Sequence, residues 1–367
     1  MGIEIRGAQS EHEVDDAYEL ASKVFGPNYF AAREMKVRAR LLEPVRRLSD
    51  VILAMSAGDV VGLVRIVDRQ VSLGEARLSV GGITSVCLRP DFQGQGYGRA
   101  IMEEAIAASR QRRDVLSIAF ARRAVDGFYP RLGYVGLGCH PAMIVKIEPG
   151  PPLSEAVTLS PQFDERLATD VYGAAYEDSY RELVMSFFRD AAWWASAPMR
   201  LQSRIEPDGF VTVREGKRPV GYFIAHGGRV VEAASVAGSR GAVLAAILIH
   251  FGTRAREVVL ALPLGHWAMR AFQRMNHTLK VRYSWDGGHM VRVLDSAAFC
   301  AALAGAVNLP ASRREPGLEE LRQFDVGGHE GARALLQHVA GCVVDADRAR
   351  ERPLLATLPA WSLVDEF

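Results

Sequence analysis

Gln93-Gly94-Gln95-Gly96-Tyr97-Gly98 stands between an apolar run that closes at Leu88 and a periodic helical stretch that starts near Arg99. Strand, glycine loop and helix, in that order, decide the reading of the chain. Glycines strip a loop of side-chain bulk, and successive backbone N–H groups at the positive end of a helix then form a concave anion site. A pyrophosphate suits such a loop. A dinucleotide-binding GxGxxG is excluded because Arg99 stands where its third glycine belongs, and a Walker loop by the missing Gly-Lys-Ser/Thr. A flexible glycine loop without a ligand is the structural alternative.

Outward from the loop, VILAMSA (51–57) and VVGLVRIVD (60–68) are expected strands joined across Gly58-Asp59. ARLSVGGITSVCL (76–88) is a further β-rich run, interrupted by Gly81-Gly82. Residues 10–25 and 30–43 are expected amphipathic helices. Downstream lies a helix over 99–112 with Ile101, Ala105, Ile106 and Ala108 on one face. The strand VLSIAF (115–120), a short helix around 124–131 and a strand AMIVKIE (142–148) complete the expected unit.

EPGPPLSEAVTLSP (148–161) marks a boundary by its prolines and glycine. After it, helices are expected at 164–174 and 176–195 and strands near 209–214, 219–225 and 230–236. An apolar helix (240–252), a strand (256–262), a helix (266–275) and strands at 278–285 and 289–294 follow. The second half thus repeats the first in element order, not in sequence. Residues 296–367 are Pro/Arg-rich, with helical pieces at 296–305 and 331–341. The division is 1–148, 149–295 and 296–367.

Composition bounds the function. The 367 residues carry 44 Lys and Arg against 43 Asp and Glu, a formal charge of +1. That balance argues against a dedicated nucleic-acid binder. No secretory signal is expected at the N-terminus, and the longest apolar stretch, 242–251, is far short of the roughly 20 residues that span a bilayer. Cys87, Cys139, Cys300 and Cys342 are scattered without a CxxC pair, so reduced thiols, no metal, no membrane partner and a cytoplasmic setting are expected. A homo-oligomer is compatible with this composition.

Gln93, Gly96 and Gly98 resemble the coenzyme A pyrophosphate loop of the GNAT acetyltransferases, Gln/Arg-x-x-Gly-x-Gly/Ala, and Val86-Cys87-Leu88-Arg89-Pro90 is similar to that family's lead-in. FYPRLGYVGLG (128–138) looks like its closing segment, in which a tyrosine approaches the thioester sulfur. The resemblance implies acetyl-CoA as cosubstrate and a cofactor site over Val86, Cys87, Leu88, Gln93, Gly94, Gln95, Gly96, Tyr97, Gly98 and Arg99. In that family the fourth strand splays from the fifth. Carried over, Val86 and Leu88 hold the pantetheine arm through main-chain atoms, and the Leu88 N–H polarises the thioester carbonyl. The chemistry agrees: acetyl transfer needs a donor at the developing oxyanion, a base for the amine and an acid for a thiolate of pKa about 8.5. Tyr129 and Tyr134 are the candidate acids. Tyr134 reads as a packed strand residue, and Tyr129 as the acid.

The whole layout is similar to the Eis (enhanced intracellular survival) acetyltransferases: a GNAT domain, a second GNAT-like domain and a C-terminal module. YPRLGY (129–134), GHMVRVLDSAAFCAAL (288–303) and a chain ending Asp365-Glu366-Phe367 carry this likeness. It implies an α/β (α+β) fold of tandem units, each a mixed, mostly antiparallel sheet flanked by helices. It also implies a small aminoglycoside- or polyamine-like amine acceptor, Tyr129 as general acid and the Phe367 carboxylate as general base. An amino sugar or amino acid acceptor, or a non-catalytic acyl-CoA-binding protein, are the rival readings. The chain departs from the family in two places. Residues 296–367 are too few for its sterol-carrier-like third domain, so a shortened module is expected. The second half has Val236-Ala237-Gly238-Ser239-Arg240-Gly241-Ala242 at the equivalent junction, without the loop's spacing, and is expected to be a silent copy shaping the acceptor cleft. Its aromatics Trp193, Trp194, Tyr222, Phe223, Trp267 and Trp285 line that cleft or, as the better expectation, fill a core. His266, His277 and His289 lack metal-ligand spacing and read as structural or surface residues.

Overall fold

The computed structural model of the chain describes residues 2–26, 47–121, 127–136, 138–147, 157–181, 183, 185–202, 205–253, 255–284 and 288–306. Its first half supplies β1 (Glu4–Gly7), α1 (Glu11–Phe25), β2 (Val51–Ser56), β3 (Asp59–Leu73), β4 (Ala76–Leu88), α2 (Tyr97–Gln111), β5 (Leu116–Ala121), β6 (Val135–Gly136) and β7 (Gly138–Lys146). Ser10 caps α1 by accepting the Glu13 N–H, and Val14, Ala17, Tyr18 and Ala21 form its buried stripe. Ala57 and Gly58 both take positive φ, the geometry of a tight hairpin turn between β2 and β3. β4 runs unbroken through Gly81-Gly82, contrary to the expected interruption. A Cβ on Gly81 would lie 2.5 Å from Ser109 Oγ, so the glycine there admits α2 against the sheet rather than breaking the strand.

The rest of the chain supplies β8 (Val157–Ser160) and a helical run that passes from a 3-10 turn (Glu165–Leu167) through a π turn (Ala168–Gly173) into α3 (Ala174–Tyr180). β9 (Ser186–Phe187), α4 (Ala191–Gln202), β10 (Phe210–Glu215), β11 (Arg218–His226), β12 (Arg229–Ser235), α5 (Arg240–Gly252) and β13 (Glu257–Leu260) follow. α6 (Trp267–Phe272), β14 (His277–Ser284), β15 (Gly288–Val293) and α7 (Ser296–Ala306) end the described chain. The helix expected over 176–195 is two helices. α3 stops at Tyr180, β9 pairs with Val71 and Ser72 of β3, and Asp190 starts α4 afresh by accepting the Trp193 N–H at 2.7 Å. The helix expected around 124–131 is, in its described part, a turn and a single 3-10 turn over Pro130–Leu132, closed by Gly133 at φ 86°. The pieces expected at 30–43 and 331–341 lie outside the described residues.

The two sheets have the same plan. One runs β1-β2-β3-β4-β5-β15-β6 with β9 added on β3, the other β8-β10-β11-β12-β13-β7-β14. Every neighbouring pair is antiparallel except β4 with β5 and β12 with β13. The strand in the sixth position is exchanged: β15 lies between β5 and β6, and β7 between β13 and β14. The AMIVKIE strand therefore completes the second sheet, not the first. Each exchanged strand brings fully buried side chains to its host, Met143 and Val145 to the second core and Met290 to the first. The expected boundaries at 148 and 295 thus separate chain segments, each of which lends one strand to the other.

Candidate functional site

β4 has two neighbours for only part of its length. It pairs with β5 from Val80 to Ile83, and beyond that point with β3 alone. A register shift falls in this open stretch, where Ser85 takes φ 55°, a conformation a non-glycine residue adopts at a bulge. Arg89 N–H donates to Val61 O at 2.8 Å, and Leu88 stands opposite Gly62. Successive antiparallel residues turn their amides to opposite edges, so the Leu88 N–H points to the edge that β5 has left. Val86 belongs to the same open stretch. Cys87 points its side chain to the other face, among the residues packed on α1, and burial pushes its thiol up to about 12.

The loop after β4 is fastened by its glutamines. Gln93 Nε2 donates to Leu88 O at 3.0 Å and Gln95 Nε2 to Asp91 O at 2.9 Å. The Gln93 N–H is itself engaged with Pro90 O, so Gln93 holds the strand end through its side chain and the turn after it through its backbone. Gly94 and Gly96 take φ 76° and 90°, and a Cβ on either would meet nothing within 4 Å. The concave side of the loop is open. Gly96 precedes α2, whose N-terminus has no side-chain cap and no acid in its first turn; the first bond of this turn runs from Ala100 N–H to Gly96 O. The first-turn amides of Tyr97, Gly98 and Arg99 lack intrahelical acceptors by helix geometry, and the helix dipole adds positive potential there. Arg99 is exposed and pairs with Glu103 at 2.7 Å.

Gly98 joins the parts. A Cβ there would sit 3.4 Å from Leu88 Cδ1 and 3.6 Å from Phe128 Cε2, which brings the strand end, the helix start and the 127–134 turn together. Tyr129 follows Phe128, with its ring edge-on to Phe128 (5.2 Å) and Tyr134 (5.7 Å). Its backbone oxygen accepts from Leu132 and Tyr134. Burial pushes the Tyr129 phenol up to about 12. Tyr134 is fully buried, and its hydroxyl is bonded to Ser117 Oγ at 2.7 Å. Phe367 lies outside the described residues, as do Trp285 and the 361–366 tail. Among the described residues no group of three His, Cys, Asp or Glu side chains forms a metal site.

The second half has the same open stretch and fills it from within. β12 meets β13 only at Arg229 and Val230. Beyond them, His266 reaches Ala233 O at 3.0 Å through Nε2, while its Nδ1 accepts the Ala268 N–H. That pair of bonds fixes the neutral tautomer with the proton on Nε2. Ser179 Oγ accepts the Ser235 N–H at 2.9 Å. At the start of α5, Asp178 Oδ2 accepts the Ala237 N–H and Glu215 Oε2 accepts the Ser239 hydroxyl, each at 3.0 Å. Two carboxylates therefore stand where the first half presents only backbone donors. Of the aromatics expected to line a cleft or fill a core, those among the described residues, Trp193, Trp194, Tyr222, Phe223 and Trp267, are all buried. Sequence reading offered no signal for this plug, because Ser179 and His266 meet β12 only through the fold.

Residues 4–136 match the family model described as Acetyltransferase (GNAT) domain. No curated protein matches the chain in sequence. Among solved structures, Eis1 from Mycobacterium abscessus is similar over 82% of this chain and 76% of its own, with a TM-score of 0.58 and 18% identity. A GCN5-related N-acetyltransferase from Kribbella flavida is similar over 82% and 73%, at TM-score 0.59 and 21% identity. Another from Anabaena variabilis covers 80% and 73%, at TM-score 0.58 and 13% identity. At these identities the likeness is one of fold. The chain carries a GNAT acetyltransferase domain spanning β1 to β6, and its activity class is that of an acyltransferase.

Proposed function

We propose that this chain is an acetyl-CoA-dependent N-acetyltransferase that acts on a primary amine of a small, aminoglycoside- or polyamine-like acceptor by direct attack in a ternary complex. One observation carries the reading: the open edge of β4 at Leu88, the glycine loop and the Tyr129 turn converge on Gly98. The fit to coenzyme A rests on the same parts. The loop's concave side admits an anion and adds no acid of its own at the helix start, and the free strand edge offers an amide ladder to a pantetheine arm. Acetyl-CoA, when bound, supplies an activated thioester.

The chain's own groups then divide the work. Gly94 to Arg99 hold the pyrophosphate through backbone N–H groups, with Gln93 and Gln95 keeping the loop in shape. Val86 and Leu88 align the arm, and the Leu88 N–H stabilises the negative charge that develops on the thioester oxygen. Tyr129 donates a hydrogen bond to the departing sulfur. A phenol near 12 is a weaker acid than a thiol of about 8.5, so Tyr129 gives its proton to the sulfur only in concert with taking one up, the proton that the amine hands to the base returning to the phenol through solvent. Cys87 is buried on the far face with a raised thiol, which favours direct attack over an acyl-cysteine.

The base, in this reading, is the α-carboxylate of Phe367, with Asp365 and Glu366 adding negative charge beside a cationic acceptor. We place the protein in the cytoplasm. Among the described residues no helix is long and apolar enough to cross a membrane. Adding a few glycines after Phe367 displaces the carboxylate without touching the loop. Acetyl-CoA affinity should survive and turnover with an amine panel, read by mass spectrometry of the acetylated products, should collapse. Full turnover in the extended enzyme would move the base to a side chain.

A further inference from the structure

The tip of the β3–β4 hairpin, β9 and the helical run 168–180 enclose a cleft of about 480 Å³, a volume within the range of small-molecule sites. It stands apart from the junction described above. Arg77, which lines it, and Leu88 lie at opposite ends of β4, on the order of 35 Å apart at about 3.3 Å per residue.

The walls are aromatic: Tyr176, Phe187, Phe188 and Trp194. Beneath them Arg189 makes a two-point pair with Glu232, both contacts 2.8 Å and both side chains buried. Tyr222 donates to the same carboxylate at 2.6 Å, and the Arg189 guanidinium lies 3.9 Å from the Tyr176 ring. The floor is therefore rigid and its charge neutralised. Glu177 and Arg181 on the rim pair with each other at 3.5 Å. The lining charges outside these pairs are Asp170, Asp190 and Arg77. Arg77 lies over the Phe188 ring at 3.8 Å. Asp190 spends one oxygen on the Trp193 N–H and keeps the other. Asp170 is exposed on the π turn, a helical irregularity frequent at functional sites because it re-aims side chains. The balance is one negative charge over an aromatic wall.

We infer that this cleft binds a small organic ammonium compound with an apolar body, its cation facing Asp170 and Asp190 and its body against Phe188 and Trp194. The helical run that walls the cleft also packs on β12, whose unpaired edge is plugged.

The test uses N,N-dimethylphenethylamine, a tertiary amine that forms no stable amide and so cannot be a product-forming acceptor. Calorimetry on the full chain should give saturable binding with a Kd below about 1 mM, undisturbed by saturating coenzyme A. Asp170→Asn should weaken it about fivefold, the scale of one exposed ion contact. Ala191→Trp, which fills the cleft from an exposed position, should abolish it, and Ala174→Trp is the second filling variant. Coenzyme A affinity, unchanged in each variant, shows that the fold is intact. Absence of saturation in the wild type, or undiminished binding in Asp170→Asn or in a folded filling variant, would overturn the inference. Loss of coenzyme binding or of turnover bears on the acetyltransferase reading and leaves this result independent.

Discussion

Two tyrosines five residues apart are both buried but differ in their neighbours. Tyr134 is locked to Ser117 inside the core, whereas Tyr129 stands at the turn beside Phe128 and Gly98. Tyr134→Phe should therefore cost about 1 kcal/mol of stability, the worth of one buried hydrogen bond, and shift the melting temperature. Tyr129→Phe should leave the melting temperature close to that of the wild type and lower kcat roughly 10²-fold, with coenzyme affinity within about threefold. Steady-state kinetics with calorimetry separate the two. A kcat within twofold of the wild type would make Tyr129 a packing residue. Its phenol, raised to about 12 by burial, also remains protonated throughout the working range, so no alkaline fall in kcat below about pH 11 should arise from it. The packing of Tyr134 was legible in the sequence, since it follows the Arg131-Leu132-Gly133 turn into a strand. The tie of Gln93 to Leu88 O was not, because a motif gives a residue type and not the bond it makes.

At the scale of elements, the same strand pair is open in one half and plugged in the other. His266 is part of the plug, and full burial pulls its imidazole down to about 3. Unfolded, the ring takes a proton near 6.5; folded, it resists one until about 3. The stability it contributes is complete above about pH 6.5 and is lost as pH falls toward 3, at up to about 1.4 kcal/mol per pH unit. His266→Gln, which can keep the bond to Ala233 O but does not titrate, should show a shallower loss of stability between pH 6 and pH 4. Urea midpoints across that range measure it, and identical slopes for the two proteins would mean that the ring titrates freely in the folded state. Strand–loop–helix order around Gly94–Gly98 was legible because glycine spacing and apolar periodicity are local. In the second half the sequence shows only that the glycine loop's spacing is missing. What fills the equivalent junction, carboxylates of Asp178 and Glu215 at the helix start and Ser179 and His266 on the strand edge, depends on residues far apart in sequence.

The described residues form two sheets that complete each other. Exchange of β7 and β15 was invisible in the sequence, since both strands have the apolar pattern their positions need and either sheet satisfies it. It has a consequence: a fragment of residues 1–148 lacks β15, leaving β5 and β6 without the strand between them and β7 without a host sheet. Such a fragment should show no cooperative thermal transition, while the intact chain unfolds cooperatively. A fragment that melts with a sharp, reversible transition would mean that β7 folds back into its own sheet. Among the described residues, the open glycine loop at a strand–helix junction belongs to the first half, and the equivalent junction of the second is filled. Titration of the full chain with acetyl-CoA, compared with Gly96→Asp, tests that directly. The aspartate adds bulk and negative charge where the pyrophosphate is held. The account predicts about one equivalent bound per chain in the wild type and none in the variant. Two equivalents, or an affinity in Gly96→Asp within threefold of the wild type, would contradict it.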